Sequence, residues 1–357
     1  MFPSGPGDAS PTGPGDTSPA GPGDVFPPNP GTLPLQTRGV NSFPNDGIPA
    51  AAKAGMQARI GDAMQPRPKP STSAFHELRG IRYHVRTWGA PDAPRVVMLH
   101  GWMDVSASFQ FLVDALARDW QVIAPDWRGF GRSQWSGTPY WFPDYYADLD
   151  ALLDIYSPDA PVCLVGHSMG GNIACTYSGI RPDRVAKLVS LEGFGYLRMT
   201  PDMAPGRYER WLGELRNPPR FKPYPSLDAV AARLTARNSR LTEARARFLA
   251  GHWSRRLDDG TYVLLADPGH KLSNPVLNRV EENVACWRRV TAPVLWIWGR
   301  QTNSRGWQND TPEQIAQRRG AFRRFREEVI EDAGHMLHHD QPEALARLIE
   351  PFLLDGS

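Results

Sequence analysis

The sequence predicts an α/β fold, a mostly parallel sheet with helices on both faces, interrupted by one inserted and mainly helical segment. Three observations predict it. Short apolar runs alternate with helical periodicities from Ile81 to Leu191, the alternation stops between Gly193 and Pro293, and it resumes from Val294 to Leu354. Repeated strand–helix units bring successive strands into parallel pairing, because the crossover helix must return the chain to the same sheet edge before the next strand starts.

The elements follow in order. Ile81-Arg82-Tyr83-His84-Val85 alternates as a half-exposed strand does, and Val96-Val97-Met98-Leu99 is the unbroken apolar run of a strand covered on both faces. Residues 108–118 carry Phe109, Leu112 and Leu116 at helical spacing; Val122-Ile123-Ala124 is a short strand; Tyr145, Leu149, Leu152 and Leu153 line one helix face. Next come the strand Val162-Cys163-Leu164-Val165, a helix from Gly170 to Gly179, and a strand from Ala186 to Leu191. The interrupting segment shows helical patterns at 206–216, 226–237, 242–254 and 276–289, with one strand at Tyr262-Val263-Leu264-Leu265. Val294–Trp298, a helix from Pro312 to Arg324, the strand Glu328-Val329-Ile330 and a helix from Pro342 to Leu354 complete the sheet pattern. An insertion between two sheet strands sits over their carboxyl ends, where open α/β sheets bind ligands, so a lid over a pocket is expected. The expected organisation is a tail at 1–72, a first core part at 73–194, the lid at 195–291 and a second core part at 292–357.

The tail holds much of the chain's 35 Pro and 33 Gly. Gly5-Pro6-Gly7-Asp8 recurs at Gly13–Asp16 and again at Gly21–Asp24, without glycine at every third residue, which excludes collagen. With almost nothing apolar between the copies, ordering entropy is not offset, and the tail is expected to be disordered.

Charge and cysteine usage exclude other classes. Forty Lys plus Arg against 38 Asp plus Glu leave a net charge of +2, too balanced for a surface built to hold nucleic acid or anionic lipid. The basic run Arg318, Arg319, Arg323, Arg324, Arg326 fits a solvated helix face beside Glu327 and Glu328. No apolar run approaches the roughly 18 residues of a membrane helix. The start Met1-Phe2-Pro3-Ser4-Gly5 shows neither the basic nor the apolar part of a secretory signal. Cys163, Cys175 and Cys286 cannot all pair with one another and lack metal-ligand spacing, so they read as reduced core residues of a cytoplasmic protein with no metal and no cofactor.

The chemistry-bearing motif is Gly166-His167-Ser168-Met169-Gly170, a G-x-S-x-G directly after an apolar strand and directly before a helix. Its glycines let the backbone turn sharply, so that Ser168 stands as a nucleophile at the top of the sheet. A serine hydroxyl needs a base to take its proton and an acid to orient that base. The base is expected late in the chain, at His335 in Ala333-Gly334-His335-Met336-Leu337, while His338 and His339 read as exposed histidines capping the last helix.

The segments Leu99–Asp104, Asp126–Ser133, Gly166–Gly171 and Gly334–Met336 resemble, in order and spacing, the motifs of the α/β-hydrolase superfamily and of its serine-hydrolase-like branch. The resemblance runs from about residue 74 to 354 and implies the α/β-hydrolase fold with a Ser–acid–His site. It implies an oxyanion hole from the backbone N–H groups of Trp102 and Met169, a structural role for His100, and loop-fixing roles for Asp126 and Arg128. In most relatives the acid follows the strand equivalent to Val294–Trp298, but here Gly299-Arg300-Gln301-Thr302-Asn303-Ser304 holds no carboxylate, and Asp310 comes late. The superfamily's alternative position, after the preceding sheet strand, is occupied by Glu192, with Gly193 leaving room for the loop to turn.

Serine with an oxyanion hole suits acyl chemistry. The expectation is a hydrolase of carboxylic esters or similar small-molecule acyl substrates. A carbon–carbon hydrolase of ring-cleavage diketones and a non-catalytic binding protein stand as alternatives. Twelve tryptophans are many for this length. Trp102, with Phe194 and Tyr196 at the start of the insertion, is expected to contact substrate, and Trp127, Trp135, Trp141, Trp211 and Trp253 are candidates for the lid or entrance. His270 reads either as a polar contact from the lid or as a turn histidine.

Overall fold

The computed structural model describes residues 67–137, 139–302 and 310–355. The GPGD copies and most of the expected tail lie outside the described residues. Eight strands form one sheet in the order β1-β2-β4-β3-β5-β6-β9-β10. They are β1 (Ser71–Leu78), β2 (Ile81–Trp88), β3 (Arg95–Leu99), β4 (Gln121–Pro125), β5 (Val162–His167), β6 (Val185–Leu191), β9 (Val294–Gly299) and β10 (Phe325–Ile330). All pairs from β4 to β10 are parallel, whereas β1–β2 and β2–β4 are antiparallel.

Strand β1 corrects the tail boundary, since it begins at Ser71. Its sequence Ser-Thr-Ser-Ala-Phe-His-Glu-Leu is polar because it is an edge strand, and the pairing comes from a hairpin through Arg79 and Gly80, both at positive φ (52° and 75°). The unbroken apolar runs have the opposite cause. Val97 and Leu99 of β3 face one layer, and Val96 and Met98 face the other. The first layer holds α2 (Phe142–Tyr156), α3 (Met169–Ile180) and α7 (Val280–Trp287); the second holds α1 (Gln110–Ala115) and α10 (Pro342–Leu354). Both strand faces are therefore buried.

Between β6 and β9 the chain forms α4 (Ala204–Arg216), α5 (Leu227–Arg237), α6 (Glu243–Trp253) and the small hairpin β7 (Ser254–Arg256) with β8 (Tyr262–Leu264). Helices α5 and α6 share their own small core of Val230, Leu234, Ala246 and Leu249. Helix α7, at the end of this segment, instead buries Val280, Val284 and Trp287 beneath the sheet against α3. A Cβ on Gly179 of α3 would stand 1.9 Å from the Cys286 carbonyl, which shows how closely the two helices approach. Among the described residues no helix is long and apolar enough to cross a membrane.

Helix α8 (Pro312–Arg319) is shorter than expected; of the basic run, Arg319, Arg323, Arg324 and Arg326 are exposed, with Arg319 paired to Glu327 and Arg326 to Glu328, and Arg318 is the exception. Arg318 is fully buried; its Nε donates to Asp310 Oδ2 at 2.6 Å, and its Nη2 donates to the Tyr196 carbonyl at 3.0 Å.

Buried polar groups fix the loop after β4. Asp126 accepts from His84 Nδ1 (2.8 Å), Ser106 N (2.7 Å) and Arg132 N (2.8 Å). Burial raises its pKa, but hydrogen bonding and charge interaction with His84 outweigh this and hold the carboxyl well below the ordinary range. Arg128 places Nε and Nη2 on the two oxygens of the fully buried Asp148, at 2.5 and 2.6 Å.

Candidate active site

The strand order places the site. The order in which parallel strands are added reverses between β3 and β5, and the loops leaving the carboxyl ends of these neighbours meet at that switch point. A Cβ built on Gly101, after β3, would stand 2.8 Å from His167 Nδ1 and 3.2 Å from Ser168 Cβ. The backbone of Trp102 is thereby brought beside the serine, and Met103 follows in a left-handed turn at φ 59°.

Ser168 joins β5 to α3 at φ 50°, a conformation that costs a non-glycine residue of order 1–3 kcal/mol and projects its hydroxyl above the sheet. The turn needs Gly170, because a Cβ there would lie 2.1 Å from the Leu99 carbonyl oxygen. Met169 N is the first amide of α3, where the helix offers no internal acceptor and the helix dipole is positive.

His335 lies between β10 and the short helix α9 (Leu337–Asp340). Its Nε2 is 3.0 Å from Ser168 Oγ, and its Nδ1 is 3.2 Å from Glu192 Oε2. The Glu192 side chain is fully buried, while that of His335 is 24% exposed and so open to a ligand. Glu192 follows β6, and its carboxylate reaches over β9: Oε1 accepts from Gly299 N at 2.7 Å and Oε2 from Thr302 Oγ1 at 2.8 Å. The loop after β9 thus receives a carboxylate from the neighbouring strand instead of supplying one. Glu192 itself takes the strained turn, at φ 59°. Gly193 is needed for contact rather than for turning, because its Cβ would stand 2.7 Å from both Gly171 Cα and the Ser168 carbonyl oxygen. Asp310 is turned away, bound to Arg318.

A layer of buried histidines supports these loops, and it corrects the reading of His338 and His339 as exposed caps. Both are fully buried. His167 Nε2 donates to the His335 carbonyl at 2.8 Å, so its Nδ1 carries no proton, and burial pushes its pKa far down. Asp104, two residues after Trp102, is a hub that sequence reasoning missed. Its Oδ1 accepts from Val105 N and from the indole of Trp253, its Oδ2 accepts from Ser108 Oγ, and His338 Nε2 lies 3.6 Å away. Burial raises its pKa, yet the interactions with His338 hold it below the ordinary range. The only sequence signal was its place within the His100–Asp104 motif. Asp340 was missed as well; it fixes the His335 loop by accepting from Gly334 N at 2.9 Å.

The aromatic expectations divide. Phe194 is corrected: it is fully buried and stacked against Trp296 at 4.3 Å, part of the core rather than the pocket, because the loop after Glu192 turns inward. Trp127 is also core, with its indole donating to the His100 carbonyl, and Trp135 is exposed. Trp102, half-exposed, lines a cavity of about 130 Å³ with Met169, Tyr140, Trp141, Trp211 and His270. Tyr196 lines a different cavity of about 660 Å³ that also touches Trp141 and Phe142. Trp253 lines a third one, which Trp102 also borders. His270 fits both earlier readings: it stands in the turn Pro268–Lys271, stacks between Phe130 and Tyr140 at 3.7 and 3.6 Å, and donates from Nε2 to the Arg128 carbonyl. Burial pushes its pKa down to about 3.

These histidines give the fold a pH dependence. His100, His167, His270 and His339 all have folded-state values lowered by burial. Below about pH 6.5 the unfolded chain binds protons that the folded chain refuses, so stability is full above that pH and falls as pH drops. Each histidine contributes at most about 1.4 kcal/mol per pH unit in that window. Urea midpoints are expected to drop steadily from pH 7 to pH 5; a flat profile would contradict the burial of neutral imidazoles.

Comparison with known proteins agrees with this architecture. The family model described as alpha/beta hydrolase fold matches residues 94–342. A serine hydrolase-like protein of Danio rerio is 28% identical over 295 residues, covering 78% of this chain and 85% of that protein. The 3-hydroxybutyrate-oligomer hydrolase of Cupriavidus necator is 31% identical over 240 residues, covering 63% and 78% respectively. Among solved structures, the thioesterase domain from the curacin biosynthetic pathway superposes with a TM-score of 0.70 at 24% identity, covering 78% of this chain and 99% of that one.

Proposed function

We propose, from the premise that this chain belongs to the α/β-hydrolase fold family, that it is a cofactor-independent serine hydrolase cleaving carboxylic esters of small acyl groups. The observation that carries the reading is the unbroken line from Ser168 Oγ through His335 Nε2 and Nδ1 to Glu192 Oε2. In the first step Ser168 Oγ attacks the acyl carbon as its proton passes to His335 Nε2. Glu192 accepts from Nδ1–H and stabilises the imidazolium. The amides of Met169 and Trp102 receive the oxyanion, each worth about 3 kcal/mol of barrier. Collapse of the tetrahedral intermediate returns the proton from Nε2 to the departing alcohol oxygen and leaves an acyl ester on Ser168. Water, deprotonated by the same imidazole, then releases the acid and restores the hydroxyl.

The cavity beside Met169 is small and lined by aromatic rings, which supports a short apolar acyl group. The segment 195–291 supplies Trp211 and His270 to that cavity, as a lid would. Three free cysteines support a reducing, cytoplasmic setting. The test is a series of 4-nitrophenyl esters from acetyl to decanoyl. The expected kcat/KM is highest for acyl groups of a few carbons and falls as the chain outgrows the cavity. Failure to turn over any member would contradict the proposal.

A further inference from the structure

The second cavity that Trp102 borders has a character the acyl pocket lacks. It measures about 210 Å³, and Val230, Leu234, Trp253 and Leu264 give it an apolar wall. Its remaining lining includes three cationic side chains, Arg233, Arg237 and Lys271. Arg233 and Arg237 stand one turn apart on α5, and Lys271 comes from the turn after β8. All three are exposed, and none forms an ion pair among the described residues; the nearby carboxylate of Asp228 is bound to Arg247 at 3.0 Å. Two of them lie against aromatic rings, Lys271 Nζ at 4.2 Å from the centre of Phe221 and the Arg233 guanidinium at 5.9 Å from that of Tyr224. The one acid in the lining, Asp104, already accepts at both oxygens, from Val105, Trp253 and Ser108.

An apolar wall rimmed by unpaired cations, two of them guanidinium forks, suits a chain of a few carbons ending in a carboxylate. Trp102 borders this cavity and the acyl pocket alike, and the preceding Gly101 packs against Ser168, its Cβ position 3.2 Å from Ser168 Cβ. We infer that this second cavity is a subsite for the carboxylate-bearing end of an ester substrate whose scissile bond is held at Ser168. The inference rests on the serine-hydrolase reading and narrows its substrate class to half-esters and acyl esters of hydroxy acids.

Three esters of equal length test it: hexyl hexanoate, hexyl hydrogen adipate with the charge on the acyl side, and 5-carboxypentyl hexanoate with the charge on the alcohol side. Hydrolysis is followed by acid release. One of the two charged esters is expected to exceed the neutral one in kcat/KM by about tenfold, through KM, as three weak exposed ion pairs would give. That ratio should fall toward one in the triple variant Arg233→Gln, Arg237→Gln, Lys271→Gln, and also in 0.5 M salt. Equal rates for charged and neutral esters, or a preference that survives the triple variant, would overturn the subsite. A binding arm separates this failure from failure of the chemistry. In Ser168→Ala, hexanoate should quench tryptophan fluorescence at lower concentration than hexan-1-ol, with a difference that the triple variant abolishes. Equal affinities would overturn the subsite even in an active hydrolase. Tighter, salt-sensitive hexanoate binding would sustain it even if no ester were cleaved.

Discussion

Glu192→Gln is expected to lower kcat by about 10⁴ while KM changes little. The reason lies in how the two oxygens are used. Oε2 faces His335 Nδ1 and Thr302 Oγ1, and Oε1 faces Gly299 N, so every neighbour of the carboxylate is a donor. Glutamine has a single oxygen. If that oxygen takes the Oε2 position, the amide NH₂ meets Gly299 N–H, two donors against each other in a buried place. If it takes the Oε1 position, the NH₂ meets His335 Nδ1, which must then be bare; the ring proton moves to Nε2, and the imidazole can no longer receive the Ser168 proton. Either way the base is lost or displaced. Asp310→Asn is the control, because it removes the other acid that a reading of the loop after β9 would nominate. It is expected to keep kcat within tenfold of the parent and instead to lower stability by about 3 kcal/mol, since buried Arg318 loses its charged partner. Steady-state kinetics on both variants decide the matter, and a reversal of the two outcomes would assign the acid to Asp310.

Asp148→Ala should unfold the protein more readily than any surface change, with a loss of about 3–5 kcal/mol read from urea midpoints. Asp148 has no exposed side-chain surface, and it accepts from Arg128 Nε and Nη2, from Tyr83 Oη and from Arg79 Nη1. Alanine would strip the Arg128 guanidinium, only 8% exposed, of both its short bonds and leave it the longer contact to Asp144 at 3.5 Å. The effect reaches the site through the backbone, because the Arg128 carbonyl accepts from His270 and the Gly129 carbonyl from Asp267 N. KM is therefore expected to rise in the surviving folded fraction. A loss below about 1 kcal/mol would mean that this pair is solvated rather than buried.

What the sequence made legible follows from how local each cause is. Val96–Leu99 announces a doubly covered strand by itself, and Gly166–Gly170 announces its turn because close backbone approach demands glycine at fixed spacing. Glu192 was reached through the resemblance, which places the acid after the strand Val294–Gly299 or after the preceding sheet strand, and only the second position holds a carboxylate. Strand β1 was hidden because an edge strand closed by a hairpin needs no apolar run. Arg318 and His338 looked solvent-facing by residue type, and only the tertiary arrangement supplies Asp310 and Asp104 to face them. Phe194 was misplaced for a similar reason: a position just after the acid says nothing about which way the loop turns.

The central claim is that Ser168 is made nucleophilic by His335, and labelling of the folded protein with a fluorophosphonate tests it most directly. Peptide mass analysis should find one modified residue, Ser168, and the labelling rate should collapse in His335→Gln and Glu192→Gln variants that retain the parent's thermal unfolding. Phosphonylation of another serine, or an undiminished rate at Ser168 once the imidazole is gone, would contradict the account.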